Sequence, residues 1–334
     1  MNIILTINNH RLLNEEKKIF NYIKSHNGID CVRFNASKIR DYDEYFCRIK
    51  HFQTMMPDIK IIIDIPYPKE KYRIYFSDEK NILKISKGEI FKIQHTGDRE
   101  TKGKNNVLRF EKGINFQVLD ESLDQEIIVG DGEGVFKVHF DLNDYTLEAM
   151  NAFELINGKA VHFPNKVLKK GEFDFEYIKL INPYAIMLSF VEKEEELILT
   201  KKKLGNRNIK IFSKIETASG AQNIRKIQEN SDGIVVARGD LFLYSPNEMF
   251  YSIEKTLINS CKNCKTPVYI ATDILDSIKI RKLPSRADII DLSFLIENSV
   301  DGVILSAGDF SIDYAINLIN KIEEYIKNEN NKSF

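Results

Sequence analysis

Eight short apolar runs rich in β-branched residues recur along the chain, with stretches of helical periodicity between them. They are IILTI (3–7), DCVRFN (30–35), KIIIDI (60–65), YAIMLSF (184–190), IKIFSKIE (209–216), GIVVARG (233–239), PVYIAT (267–272) and DGVILSA (301–307). Near-continuous apolar strands are what a parallel sheet needs when helices cover it. Alternating strands and helices build βα units, and eight such units in one chain predict an α/β fold, a closed (β/α)8 TIM barrel with its chemistry at the carboxyl ends of the strands.

Between the third and fourth runs the texture changes. Roughly from 70 to 160, short alternating segments (NILKIS, EIFKIQ, GVFKVHF) are separated by the turn signals TGD, EKG and GDGEG. This predicts a small β-barrel domain inserted between strand 3 and helix 3, placed to act as a lid. The predicted division is 1–68 for the first part of the barrel, 69–160 for the insert, 161–328 for the remainder and 329–334 for a disordered tail. The glycine run 130–134 has no following helix and no P-loop lysine, so it reads as a hairpin turn. In EKEEELILTKKKLG (192–205) acids come first and lysines last, which complements a helix dipole, and Gly205 supplies the cap.

Composition narrows the partners. The 334 residues, 43% of them hydrophobic, suffice for a barrel and a smaller module. Lys plus Arg (48) nearly balance Asp plus Glu (49), so no net field favours nucleic acid. The opening MNIILTINNHRLL has only a five-residue apolar run with no basic flank, and eighteen consecutive apolar residues occur nowhere, which predicts no membrane association and a cytoplasmic location. Four cysteines make no disulfide framework. Cys261 and Cys264 share the C-x-x-C spacing but lack a second pair or a nearby histidine to complete a zinc site, so they read as structural.

Because barrel interiors are branched and apolar, polar residues at strand ends point to a site. Arg33, Asn35 and Ser37 close the second run, Asp64 the third, Ser189 the fourth, Lys214 and Glu216 the fifth, Arg238 and Asp240 the sixth, Thr272 the seventh and Ser306 the eighth, all expected on one face. Glu216 and Asp240 offer hard oxygen ligands from adjacent strands, the donor type that holds Mg²⁺ or Mn²⁺. Lys214 and Arg33 add positive charge, which suits a small substrate carrying carboxylate and phosphate. A structural ion-pair network is the other reading of these residues, and one that is costly to bury without a ligand.

These residues carry a likeness. KIETASGAQNIRKIQENSDGIVVARGDL (214–241), VRFNAS (32–37), LSFV (188–191), ATDILDS (271–277), PSRADIID (284–291) and DGVILSAGD (301–309) resemble motifs of the pyruvate kinase family in spelling and order. VGDG (129–132) and NGKAVHFP (157–164) are similar to its lid segments. The resemblance implies phosphoryl transfer between phosphoenolpyruvate and ADP, giving pyruvate and ATP through a metal-stabilised enolate. Glu216 and Asp240 would bind the divalent ion, and Lys214, with Arg33 beside it, would neutralise the phosphoryl group. Thr272 and Ser306 would serve protonation, and Ser189, Thr272 and the backbone around Gly239 and Asp240 would contact the substrate. Arg33, Arg73, Lys159 and Asp131 would contact the nucleotide. A homo-oligomer is compatible with the likeness.

The departures also bear on function. Where the family reads D-T-K-G-P-E and uses it, with residues matching Asn35, Ser37 and Asp64, to hold K⁺, this chain reads DIPYPK (64–69). Lys69 replaces the glutamate, and its fixed charge predicts activity without K⁺. L-G-V-E becomes LFLY (241–244), the histidine after R-x-N-x-S becomes Lys38, and G-E-T becomes AGD (307–309). The family's carboxyl-terminal domain has no counterpart in these residues, so allosteric control by that route is not expected. Two alternatives stay open: a catalytically weak homologue that binds a ligand or regulates, and a metal-enolate lyase or aldolase.

Overall fold

The computed structural model describes residues 1–7, 16–25, 28–39, 41–76, 82–94, 106–110, 114, 116–141, 144–164, 168–281, 283–306 and 312–332. Eight parallel strands, β1 (Asn2–Ile7), β2 (Cys31–Asn35), β3 (Lys60–Glu70), β4 (Ala185–Ser189), β5 (Lys210–Ile215), β6 (Gly233–Ala237), β7 (Val268–Ala271) and β8 (Gly302–Ser306), pair in sequence. Pairing of β8 with β1 and of β2 with β3 closes them into a barrel.

Alternation along each strand sorts its residues into two sets. One set, including Leu5, Val32, Ile63, Ile186, Ile211, Val236, Ile270 and Val303, packs with helix residues such as Phe52, Ile178, Leu197, Leu257 and Leu292 in the main core. The other set, Ile4, Cys31, Ile62, Ala185, Met187, Phe212, Val235 and Ile304, forms a separate cluster that fills the barrel. Continuing the second parity toward the carboxyl ends reaches Thr6, Arg33, Asn35, Asp64, Ser189, Lys214, Glu216 and Ser306. Strand parity is therefore what delivers polar side chains to the mouth.

The chain divides into two compact units, Met1–Pro68 with Gly171–Phe334, and Lys69–Lys170. The second unit closes ten residues later than the 160 read from sequence, because Lys169–Lys170 returns to pair with Glu70 and Lys69. Within it, Asp144–Ala149, Ile90–Gln94, Val107–Phe110, Tyr72–Phe76, Lys159–His162, Glu126–Val129 and Gly134–Asp141 form a closed seven-stranded barrel. Ile74, Phe91, Leu108, Ile127, Phe136, Leu147 and Val161 are its buried centre. The glycine run turns the hairpin between Val129 and Gly134, with Gly130 and Gly132 at φ +66° and +108°.

The charge run forms the helix Glu194–Leu204, and Gly205, at φ +69°, donates its N–H to Lys201 O at 3.1 Å. Cys261 and Cys264 end the helix Phe250–Cys264 before β7, and Cys264 Sγ accepts from Gln228 Nε2. The predicted disordered tail at 329–334 is corrected in part: the helix Ile312–Lys332 runs through it, since an exposed helix carries polar residues to its end. Residues 333–334, the turn signals TGD and EKG and the segment AGD (307–309) lie outside the described residues. No described helix is long and apolar enough to cross a membrane.

Candidate active site at the carboxyl ends of the barrel strands

Lys214, on β5, places Nζ 3.2 Å from Asp64 Oδ1 on β3 and 3.2 Å from Glu216 Oε1 just past its own strand. Arg33, on β2, donates Nε to Asp64 Oδ2 at 3.1 Å and Nη1 to Thr6 Oγ1 at 2.9 Å. Asp64 is 1% and Glu216 2% exposed, so the network is sealed from most solvent screening. Burial opposes the charge on Asp64, yet the Lys214 and Arg33 charges and their hydrogen bonds prevail and hold its carboxyl below the usual range. Burial likewise opposes the Lys214 charge, but Asp64 and Glu216 raise the ammonium above its ordinary value, so it stays protonated at neutral pH.

Glu216 behaves differently. Burial above all, with the negative charges of Asp240 and Asp64, pushes its carboxyl up to about 7 even though Lys214 pulls the other way. The N–H of Phe190, just after β4, donates to its Oε2 at 2.6 Å. Phe190 sits at φ +53°, a left-handed conformation costly for a bulky residue, and this backbone aims the N–H at the carboxylate. Two fixed cations, Arg33 and Lys214, thus face Asp64 and Glu216, and the Asp240 charge is close enough to act on both Lys214 and Glu216. A hard cation beside Glu216 and Asp240 would remove the penalty on Glu216, so the donor set fits a divalent ion that takes its other ligands from water and substrate. Among the described residues no group of three or more His, Cys, Asp or Glu is arranged to hold a metal.

The remaining candidates divide. Gly239 and Thr272 are neighbours, since a Cβ on Gly239 would stand 3.1 Å from Thr272 Cγ2. Thr272 is exposed at φ +76°. Ser306 ends β8 opposite Thr6 in register and is exposed. Ser189 is buried and donates its hydroxyl to Ile65 O at 3.0 Å, which commits its proton to tying β4 to β3. Asn35 lies opposite Asp64 in the β2–β3 register, and its Oδ1 accepts from Ser37 N at 2.9 Å. Lys69 falls in the insert, opposite Lys170.

Arg238 does not share the face predicted for it. Its position has the outward parity of β6, and its guanidinium is bound by Glu254 Oε1 at 2.7 Å and by both oxygens of Asp291 at 2.7 Å, from helices outside the barrel. In the insert, Arg73 Nη1 donates to Gly158 O at 3.0 Å, and Lys159 starts the adjacent strand. Lys159 forms an ion pair with Glu133, whose other oxygen accepts from Asp131 N at 2.7 Å, so Glu133 gathers Lys159 and Asp131.

Sequence reasoning does not reach Thr6, Phe190 or Glu133. Thr6 carries a signal, a polar residue on the inward parity of an apolar strand. The Phe190 amide carries none, because a left-handed phenylalanine has no compositional mark. Tyr244, in place of the family's glutamate, is 1% exposed and packs edge-on to Phe190 at 5.4 Å. Phe242 is 43% exposed and lies edge-on to Phe250.

The chain is similar to proteins of one family. A family model described as pyruvate kinase, barrel domain, matches residues 2–319. The chain is 27% identical over 295 residues to the pyruvate kinase of Thermotoga maritima, covering 84% of this chain and 61% of that protein. It is 27% identical over 306 residues to that of Bacillus licheniformis, covering 86% and 51%. With the pyruvate kinase of Clostridium acetobutylicum identity rises to 37% over 153 residues, 44% of this chain and 32% of that one. In these three matches the aligned region spans between about a third and three fifths of the relative's length.

Proposed function

The chain belongs to the pyruvate kinase family, and we propose that it transfers a phosphoryl group between phosphoenolpyruvate and ADP, giving pyruvate and ATP. The observation that carries this reading is the Lys214 ammonium, held 3.2 Å from each of two buried carboxylates at the mouth of the barrel. An ammonium fixed in a water-poor site stabilises charge on a transferring phosphoryl group far better than one free in solvent. Arg33 adds a second donor whose orientation Asp64 and Thr6 already fix.

Mg²⁺ or Mn²⁺ held by Glu216 and Asp240 would supply Lewis-acid polarisation of the substrate oxygens. The Gly239 and Asp240 amides receive the substrate carboxylate, and Thr272 with Ser306 stands where a proton is delivered to carbon. Arg33, with Arg73, Lys159 and Asp131 of the insert, is assigned to the nucleotide. On this reading Asn35, Ser37 and Asp64 need no K⁺, since the Arg33 and Lys214 charges already serve Asp64. With substrates of that kind, a cytoplasmic location is part of this proposal.

The test is pyruvate formation from phosphoenolpyruvate and ADP with Mg²⁺ or Mn²⁺, with and without K⁺. Turnover should ignore K⁺ and fall by about three orders of magnitude in Lys214→Met, whose circular dichroism should match the parent. A strict K⁺ requirement would overturn the monovalent-cation reading alone. No turnover, with phosphoenolpyruvate still bound in calorimetry, would reassign the site to ligand sensing.

A further inference from the structure

We infer that Tyr244 is a positioning residue that locks the Glu216 and Asp240 carboxylates into one geometry, and that its ring is needed for divalent-ion binding. The metal part of this inference rests on the function proposed above; the packing part does not. Tyr244 touches three segments of the site. It is the residue after the short helix Arg238–Leu243, and its N–H donates to Asp240 O at 2.8 Å. Its carbonyl accepts from Ala218 N at 3.2 Å, which ties it to the first helical residue after Glu216 and Thr217. Its ring meets Phe190 at a centroid distance of 5.4 Å and an interplanar angle of 72°.

Phe190 is the residue whose N–H holds Glu216 Oε2 at 2.6 Å, from a backbone at φ +53°. A conformation of that kind persists only where its surroundings over-determine it. Phe190 is 2% exposed, and the edge of the Tyr244 ring is part of the wall that holds it. One side chain therefore fixes the donor to Glu216 while its backbone fixes the segments that carry both acids. Where the family carries glutamate at this position, this chain has an aromatic wedge and one acid fewer near the site.

The experiment uses the full chain without substrate and follows Mn²⁺ binding by electron paramagnetic resonance, together with amide hydrogen exchange of the segment 188–193. Tyr244→Phe keeps the ring and all the backbone contacts and should bind Mn²⁺ clearly more tightly than a variant without the ring. Tyr244→Leu removes the ring edge and should weaken binding about 10–100-fold, as loss of a partner behind a ligand does, with faster exchange at Phe190. Should the leucine variant lose its cooperative thermal transition, Tyr244→Met restores unbranched bulk without the ring and takes its place. Parent-like Mn²⁺ binding in the leucine variant, or an equal loss in the phenylalanine variant, would overturn the inference. If Glu216→Gln binds Mn²⁺ as well as the parent, the metal site proposed above fails instead. The packing inference is then decided by exchange, and unchanged protection at Phe190 in the leucine variant would overturn it.

Discussion

At the amino end of the barrel, Asp30, Asp232 and Asp301 stand just before β2, β6 and β8, and each accepts a backbone N–H from the start of the preceding strand. Ile3, Ile211 and Val268 donate at 2.8, 2.8 and 2.9 Å, and the three aspartates return their own N–H groups to the same residues' carbonyls. At the carboxyl end Asp64 and Glu216 are buried and held by side-chain cations and a single amide. The first arrangement satisfies parallel strands whose first amides would otherwise lack partners. The second brings like charges together inside the protein, where burial and its neighbours disfavour the charge on Glu216. The three amino-end carboxylates bind backbone at the surface, whereas Asp64 and Glu216 are buried against the fixed charges of Arg33 and Lys214.

Asp64 should show the largest stability effect. Its removal leaves Arg33 and Lys214 without their shared partner, so Asp64→Asn should cost about 3 kcal/mol in urea unfolding. Because its folded pKa is depressed, the stability it contributes is present in full above the unfolded value of about 3.9 and is lost as pH falls toward the folded value. The gap between parent and variant should hold from neutrality to about pH 4 and narrow below it. A gap that widens on acidification would mean that the aspartate's charge is not what stabilises this end.

The eight strands were legible because each is buried on both faces and reads as a continuous apolar run; β5 (Lys210–Ile215) lies within IKIFSKIE (209–216). The exception is β3, read as KIIIDI (60–65) but extended to Glu70, because its last residues leave the barrel to begin the insert. Charged candidates were legible too, since Lys214 and Asp64 break apolar runs on the inward parity. Their pairing was not, because sequence does not say that Arg33 reaches Thr6 as well as Asp64. Parity also explains Arg238, which stands beside the candidates Gly239 and Asp240 in sequence and faces helices in space.

A smaller effect is expected where the loop that carries Phe190 meets the helix after Glu216. A Cβ on Gly220 would stand 2.5 Å from Val191 O, a backbone atom that cannot swing away. Val191 in turn donates to Lys214 O at 3.3 Å, so the loop must move relative to β5. Gly220→Ala should destabilise by about 1–3 kcal/mol, as overpacking does, and lower pyruvate formation as well. Lost stability with turnover unchanged would show that this loop does not orient Glu216.

The smallest effect should come from the opposite end and tests the contrast most directly. Asp232→Ala removes the acceptor of the Ile211 N–H, a single bond with a net worth of about 1 kcal/mol. Asp232 is exposed, so water can take its place, and the cost should not approach that of a sealed charge. Combining it with Asp301→Ala should add nearly in full, since the two bonds join different strand pairs. Denaturant midpoints should fall in step while kcat and KM stay at parent values. A drop in kcat without loss of stability would mean that the amino end sets the geometry of Lys214 through β5 (Lys210–Ile215), which begins at this bond and ends at the site.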